Sequence, residues 1–309
     1  MLRFVNPILP AGADPWMICH GGKWYFTCTR RDRLELWCAD SPASLEQARR
    51  KIVWTPPEKG PGSVQLWAPE LHCIDGKWII YYAASDGTGD AGRRMHAVVC
   101  DGDPMTAEWS YLGMLNTARA GLDGTVMEHR GQRYFLYAGY GDFPEHGSAL
   151  YIARMRDEVT LEGEETCLTI PEFDWERQGG MPINEGPAIL KRNGRIFVIY
   201  SASTTWSEDY CLGMLTADEN ADPMCSESWI KSPEPVFRKC VERRVLAPGH
   251  NSFCRYGDAD LIVYHAIDGP GGRGDLDASK RSPRIQKVEW ADDAPDFGVP
   301  VACGVEVGI

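Results

Sequence analysis

The pattern of apolar and polar positions repeats five times along the 309-residue chain. Each repeat begins with a short polar or acidic turn and an apolar stretch. A second turn with Gly, Asn or Asp follows, and then an aromatic and β-branched run. Self-similarity at a fixed period indicates repeated supersecondary units. The turns and their aromatic runs occupy residues 12–16 and 23–27, 67–71 and 77–82, 121–125 and 133–137, 184–187 and 196–200, and 248–251 and 261–264.

The repeats predict an all-β fold. When the turns are aligned at Asp14, Ala68, Asp123, Glu185 and His250, the spacings are 54, 55, 62 and 65 residues. Each unit contains a further strand-like run, at 34–39, 95–100, 149–155, 210–217 and 284–290. Regularly spaced strands with frequent turns are typical of all-β domains. Helical periodicity is sparse, and we expect the clearest amphipathic helix at residues 41–53.

Five units, each too small to bury both of its faces alone, favour a five-bladed β-propeller. We expect a single domain over residues 1–309, because the sequence contains no linker or low-complexity tract. A two-sheet sandwich is the competing fold. The segment 269–274 matches GxGxxG, but no helix pattern follows it, so we expect a loop there rather than a dinucleotide site.

Composition and charge limit the partners and the location that we expect for the protein. The net charge of −12 and the pI near 5.1 supply no basic face, so we expect no nucleic-acid partner. The chain has no apolar run of about 18 residues, so we expect no membrane association. Eleven cysteines without a CxxC pair, and an N-terminus without an apolar signal core, predict a reduced cytoplasmic protein. Removal of a leader upstream would make the protein secreted instead.

The aligned turns bring charged residues together. In a propeller the first strand of each blade lines the central channel, so Asp14, Asp123, Glu185 and His250 converge at one end of the axis. Several ionised carboxylates in one channel repel each other, which indicates a function that uses charge. The alternative is that these residues only form turns. Two carboxyl groups on opposite sides of an anomeric carbon are the minimum for glycoside hydrolysis, and inverting enzymes place them roughly 6.5–9.5 Å apart.

The motifs at 13–16, 66–71, 183–187 and 249–253 resemble the blade motifs of glycoside hydrolase family 43. The flanking segments 53–57, 210–213 and 231–237 resemble its exo-acting α-L-arabinofuranosidase branch. The resemblance extends from residue 6 to about residue 299. It implies that Asp14 is the general base, that Glu185 is the general acid, and that Asp123 orients and tunes this acid.

The same resemblance implies a set of substrate-binding residues: Trp67 as a wall of the terminal-sugar pocket, Arg281 (with Arg284 as second choice) near the substrate, His250 at the channel end, and Trp206 with Asp209 on the leaving-group side. It leaves the rim at the glycine-rich segment 269–277 undefined, because relatives often place a tryptophan there. No cofactor is expected to be required. A structural calcium or sodium ion could lie on the axis, held by His250 through waters.

We therefore expect an inverting enzyme that releases terminal α-L-arabinofuranosyl residues from arabino-oligosaccharides or arabinan. The sugar is set by loops that the motifs do not define, so β-xylosidase and galactofuranosidase activities remain alternatives. A non-catalytic carbohydrate-binding propeller is a third possibility, although binding alone would not require Glu185.

Overall fold

The computed structural model describes residues 2–141, 147–272 and 276–309. Five antiparallel sheets follow one another along the chain, and the strands of each sheet pair in sequence order. This arrangement confirms the predicted five-bladed propeller. The two-sheet sandwich is wrong.

Blades 1 to 4 each contain four strands. Blade 1 consists of β2 (Trp16–His20), β3 (Lys23–Thr27), β4 (Leu34–Ala39) and β5 (Arg49–Trp54). Blade 2 consists of β6 (Val64–Ile74), β7 (Lys77–Ser85), β8 (Arg94–Cys100) and β9 (Trp109–Met114). Blade 3 consists of β10 (Gly121–His129), β11 (Gln132–Gly139), β12 (Ala149–Met155) and β13 (Leu161–Thr169). Blade 4 consists of β14 (Asn184–Arg192), β15 (Arg195–Ala202), β16 (Cys211–Asp218) and β17 (Ile230–Lys231).

Blade 5 has three strands in the described residues: β18 (Val245–Tyr256), β19 (Ala259–Asp268) and β20 (Ser282–Lys287). Two small sheets complete the fold, one from β1 (Arg3–Val5) with β23 (Glu306–Gly308) and one from β21 (Glu289–Ala291) with β22 (Ala294–Asp296). Short 3₁₀ turns occur at Pro42–Gln47, Gly89–Gly92, Asp174–Glu176, Ser226–Ser228 and Ala278–Lys280. None of the helices in the described residues is long and apolar enough to cross a membrane.

The hairpin between the first two strands of blades 1 to 4 explains why the repeats are easy to recognise in the sequence. Two residues connect the first two strands in blades 1 to 4, and both have positive φ: 21–22, 75–76, 130–131 and 193–194. Two-residue loops of this kind match the right-handed twist of the flanking strands, and they favour glycine or asparagine. Each of these four loops ends in glycine.

The helix expected at residues 41–53 is wrong. Only Pro42–Gln47 forms a 3₁₀ turn, and Arg49–Trp54 is the outer strand of blade 1. This strand pairs with β4, and the Arg50 guanidinium lies 3.8 Å from the centre of the Trp37 ring. Pairing within the sheet therefore outweighs a helical pattern that was visible only in the local sequence.

The structure shifts one of the five aligned turns by a residue. The inner strands β10 and β14 each contain one irregularity in pairing and β6 and β18 each contain two. In the irregularity that corresponds between the blades, the residue with positive φ is Ala68, Asp123, Gly186 and His250, in β6, β10, β14 and β18 respectively. Asp14 has the same conformation just before β2, with φ of 56°. Gly186, rather than Glu185, is therefore the blade 4 equivalent of Asp14 and Asp123.

Buried side chains fill the spaces between neighbouring blades, and one of the four buried clusters joins the first blade to the fifth. It contains Met17 and Phe26 of blade 1, Leu261 and Ile285 of blade 5, and Phe4 of the N-terminal strand. Contacts between the two ends of the chain therefore close the ring. The fold leaves the starts of the five inner strands around one end of the axis.

Candidate active site

A pocket of about 370 Å³ lies at this end of the axis and receives residues from all five blades. All seven candidate site residues line it: Asp14, Trp67, Asp123, Glu185, Trp206, His250 and Arg281. Two weaker candidates lie elsewhere. Arg284 is fully buried and pairs with Asp268 at 2.6 Å, and Asp209 pairs with Lys239 at 2.7 Å.

Asp14 is held by two hydrogen bonds that fix both carboxylate oxygens. The Thr29 hydroxyl donates to Oδ2 at 2.6 Å, and the Arg281 guanidinium donates to Oδ1 at 3.1 Å. Thr29 is itself positioned by blade 2, because its oxygen accepts the backbone N–H of Ala68 at 2.8 Å. The orientation of Asp14 thus depends on blades 1, 2 and 5 together.

Two histidines stand beside Asp14. His250 Nδ1 lies 3.5 Å from Asp14 Oδ1, and His265 Nδ1 lies 3.7 Å from the same oxygen. His265 Nδ1 also accepts the backbone N–H of Asp14 at 3.1 Å, which places the proton of a neutral ring on Nε2. Burial lowers the pKa of both imidazoles.

These neighbours decide the charge of Asp14. Burial by itself raises the pKa of Asp14, but the charge of Arg281, the two imidazoles and the Thr29 hydrogen bond outweigh it and hold the pKa well below its usual range. Because both histidines are neutral near pH 7, Arg281 is the cation that acts there. Asp14 is therefore ionised.

The pKa of Glu185 is shifted in the opposite direction to that of Asp14. Burial, with a smaller contribution from the charge of Asp14, raises the pKa of Glu185 to about 7, against the opposing effects of the Tyr210 hydrogen bond and the Arg281 charge. The Tyr210 hydroxyl donates to Glu185 Oε1 at 2.7 Å. The same pocket thus contains one carboxylate that is ionised and one carboxyl group that keeps a proton to near neutral pH.

Asp123 is the most buried of the three carboxyl groups, with 2% of the residue exposed. Burial, followed by the charges of Glu185, Asp14 and Glu70, raises the pKa of Asp123 well above its usual value, against the backbone N–H of Gly186. Oxygens of the two buried carboxyl groups lie within 4.8 Å of each other. Such a pair resists simultaneous ionisation, so Asp123 and Glu185 together retain one proton to near neutral pH.

Trp67 forms one wall of the pocket and is supported from behind. The guanidinium of Arg93, of which 1% is exposed, lies 3.6 Å from the centre of the Trp67 ring. Arg93 donates to Gln65 at 2.9 Å and to Asp90 at 3.0 Å, and the Tyr140 hydroxyl lies 3.2 Å from Asp90 Oδ1. Asp90 and Tyr140 also line the pocket, so this group presents both an aromatic face and polar atoms.

Trp206 lies at the mouth, on the blade 4 side. Its residue is 38% exposed, and its indole N–H donates to the backbone oxygen of Gly179 at 3.1 Å. The glycine-rich segment 269–277 reaches the same rim, where the Leu276 N–H donates to the backbone oxygen of Trp206 at 2.6 Å, and its residues 273–275 are outside the described residues. The described residues 269–272 follow β19 without regular structure, as the loop prediction requires.

Comparisons with known proteins identify the family of the chain. The family model "Glycosyl hydrolases family 43" matches residues 4–295. The chain belongs to glycosyl hydrolase family 43. An alpha-L-arabinofuranosidase 43 from Humicola insolens is 38% identical over 318 residues, which cover 98% of this chain and 65% of the relative.

Two further proteins are similar to this chain. The extracellular exo-alpha-(1->5)-L-arabinofuranosidase of Streptomyces avermitilis is 37% identical over 98% of this chain and 65% of the relative. The chain thus spans about 65% of the length of both curated relatives. The crystal structure of an alpha-L-arabinofuranosidase from Lactobacillus brevis superposes with a TM-score of 0.90 and 38% identity, covering 98% of each chain.

The family 43 pocket contains one group of side chains with metal-ligand chemistry in the described residues. Asp123, Glu185 and His250 bring such atoms within 4.8 Å of one another. Calcium takes about six to eight oxygen ligands, whereas this group offers two carboxylates and an imidazole. An ion bound directly to Glu185 would also displace its proton. The group does not fit a directly bound ion, and an ion held by His250 through waters stays a prediction.

Several residues of this family 43 site were not predicted: Thr29, Asp90, Arg93, Tyr140, Tyr210 and His265. Tyr210 is the first residue of the 210–213 segment that carried the family resemblance, but nothing in that segment indicated a role for it. The partners of Thr29 and His265 lie 15 and 251 residues away along the chain. Closure of the ring brings His265 of blade 5 next to Asp14.

Proposed function

We propose that this protein is an inverting exo-α-L-arabinofuranosidase that releases terminal α-L-arabinofuranosyl residues. The observation that carries the reaction type is the pairing, in one pocket, of an ionised Asp14 with a Glu185 whose pKa is raised to about 7. The sugar is inferred from the relatives, three of which are named as arabinofuranosidases at 37–38% identity.

Asp14 acts in this proposal as the general base. Its carboxylate accepts a proton from a water molecule while the water attacks the anomeric carbon. Thr29 and Arg281 hold both oxygens, so the lone pairs that remain have a fixed direction. A fixed direction matters because catalytic proton transfer needs hydrogen-bond geometry before it needs a matched pKa.

Glu185 acts as the general acid and donates its proton to the departing glycosidic oxygen. A carboxyl group at its usual pKa would have lost this proton at neutral pH, and burial prevents the loss. Asp123 supports the acid, because the two groups share one proton and repulsion within the pair delays its release. After one turnover, Asp14 returns its proton to solvent and Glu185 takes one up.

The pocket itself favours action on chain ends. Its volume of about 370 Å³ lies near the lower end of the range of about 300–1,000 Å³ for ligand pockets. A pocket of this size suits a terminal sugar with its scissile bond. Trp67 offers an apolar face to such a ring, and Asp90 and Tyr140 offer partners for its hydroxyl groups.

The test is a panel of aryl glycosides combined with stereochemical analysis. We expect release from the α-L-arabinofuranoside, with little or none from the β-D-xyloside and the galactofuranoside. Proton NMR before mutarotation should detect the β-anomer of arabinose first. Initial appearance of the α-anomer would refute inversion, preference for the xyloside would refute the sugar, and no release from any glycoside would indicate a binding protein.

We further propose arabino-oligosaccharides or arabinan as the natural substrates, with a cytoplasmic location. Eleven free thiols favour a reducing compartment, because disulfides persist mainly in oxidising ones. The Streptomyces avermitilis relative is named as extracellular, which favours secretion instead. Activity measured separately in the medium and in washed, lysed source cells decides between the two, and an active medium refutes the cytoplasmic proposal.

A further inference from the structure

A buried tyrosine connects the two carboxyl groups on which the proposed mechanism depends. We propose that Tyr210, stacked on His265, is a positioning residue that fixes the direction of the Glu185 carboxyl group and its placement relative to Asp14. This inference rests on the proposed function, in which Glu185 is the acid. Nothing in the family motifs assigned Tyr210 a role.

The hydrogen bonds around the Tyr210 hydroxyl have one consistent direction. Ser201 Oγ accepts the backbone N–H of His250 at 2.7 Å, and the Ser201 hydroxyl also contacts that of Tyr210. The Ser201 hydroxyl keeps its own proton and donates it to the Tyr210 oxygen, which is the direction that lowers the pKa of Tyr210. The phenol proton is then left for Glu185 Oε1, at 2.7 Å. The Glu185 oxygen therefore receives a directed hydrogen bond from a side chain that is fully buried.

The Tyr210 ring is held as firmly as its hydroxyl. It lies parallel to the His265 imidazole, with 6° between the planes and 5.7 Å between the ring centres. The ring also packs against Gly249, where an added Cβ would lie 2.2 Å from Tyr210 Cε1. A side chain at position 249 would therefore collide with the ring, and glycine is the residue that leaves room for it.

His265 completes the connection to the base. Its Nδ1 accepts the backbone N–H of Asp14 at 3.1 Å, at the turn where Asp14 has positive φ. A continuous path of contacts thus runs from Glu185 through Tyr210 and His265 to the backbone of Asp14. Such a path sets the relative placement of acid and base, and small errors in placement are costly in catalysis.

The experiment compares Tyr210→Phe with Tyr200→Phe. Tyr200 is a matched control, because it is also fully buried and its hydroxyl also donates to a glutamate, Glu176, at 3.0 Å. Glu176 pairs with Lys231, and neither Tyr200 nor Glu176 lines the pocket. Phenylalanine keeps the ring in both variants and removes only the hydroxyl.

We expect Tyr210→Phe to lower kcat/KM on arabinobiose about tenfold or more, and to change kcat/KM on dinitrophenyl α-L-arabinofuranoside by less than about threefold. The reason is that a good leaving group departs without a proton, so placement of the acid matters little for it. Tyr200→Phe should change kcat/KM on both substrates by the same factor, whatever its effect on the melting temperature.

The pH profile gives a second readout. A hydrogen bond donated to a carboxylate favours its ionised form, so Tyr210→Phe should move the alkaline limb of kcat/KM upward by about one unit or more. The other groups that face Glu185 are Asp14, Asp123, His250 and Arg281, and all four are unchanged in this variant. Tyr200→Phe should leave the limb in place.

The outcomes separate this inference from the proposed function. Glu185→Gln is measured in parallel on the same two substrates. If Glu185→Gln lowers kcat/KM more on arabinobiose than on the dinitrophenyl substrate and Tyr210→Phe does not, Tyr210 is only structural and the inference is overturned. If Glu185→Gln shows no selectivity, the assignment of the acid itself fails. Should Tyr210→Phe fold poorly, Gly249→Ala is the second variant, because its added Cβ would displace the same ring. If Gly249→Ala lowers kcat/KM by the same factor on both substrates, the inference is also overturned.

Discussion

The interaction between Asp123 and Glu185 makes a prediction that can be worked out in detail. Asp123→Asn removes one of two carboxyl groups that share a proton, and it preserves the size of the side chain. Asparagine also tolerates the positive φ of 54° at this position, so the backbone turn should survive. The change therefore isolates the charge of Asp123.

The size of the effect follows from the distance. A carboxylate oxygen of Asp123 and one of Glu185 lie within 4.8 Å of each other. At an effective dielectric constant of about 20, two unit charges at that distance repel by roughly 3 kcal/mol, which corresponds to about two pKa units. The last proton of the pair is held by this repulsion, whichever of the two oxygens carries it.

We expect Asp123→Asn to move the alkaline limb of kcat/KM downward by about one to two units. The sign follows because Glu185 must be protonated to act, and without the neighbouring charge it loses its proton at lower pH. The assay is kcat/KM on arabino-oligosaccharides between pH 4 and about 9. Asp258→Asn is the control, because Asp258 lies exposed in the β18–β19 hairpin and its removal changes the net charge equally. An unchanged limb with an unchanged rate would mean that Asp123 only forms a turn.

Three further predictions concern the remaining site residues. Glu185→Gln should lower kcat/KM about 10²–10⁴-fold on arabino-oligosaccharides and far less on the dinitrophenyl arabinofuranoside. Asp14→Asn should lower kcat/KM equally on both substrates. The reverse pattern would exchange the roles of the two residues. Arg281→Leu should move the acid limb upward, because Arg281 lowers the pKa of Asp14, and a limb that stays in place would show that His250 and Thr29 suffice. Dialysis against EDTA should leave kcat unchanged, with at most a lower melting temperature from loss of an ion near His250; loss of activity that calcium restores would show that the ion is required.

Much of the fold was predictable because its determinants are local. The two-residue hairpin loops and the aromatic runs beside them depend on neighbours in sequence, and the runs 34–39 and 149–155 coincide with β4 and β12. The outer strands β5, β9, β13 and β17 were missed. β17 has two residues, and β5 gains its strand conformation from pairing with β4 rather than from its own pattern.

The site was predictable to the level of its charged residues. Asp14, Asp123 and Glu185 stand in turns that the repeat makes visible, and all three line the pocket. The exact register of Glu185 was not predictable, because Gly186 takes the left-handed conformation that Asp14 and Asp123 take in their blades. Arg281 was predicted, but Thr29, Tyr210 and His265, which also orient the carboxyl groups, were missed, because each of these bonds occurs in one place only and leaves no periodic trace in the sequence.

The closed ring has a consequence for the folding of the protein. Asp14 stands near the start of the chain, yet the groups that orient and ionise it include His265 and Arg281, which are 251 and 267 residues further on. Contacts of such high sequence separation form late in folding, because the entropy of closing a long loop opposes them. A nascent or partly assembled chain therefore contains every blade motif up to the fourth and still lacks a competent base. We expect the proposed hydrolytic activity to appear only when the last blade docks on the first, so that the onset of turnover during refolding would report ring closure.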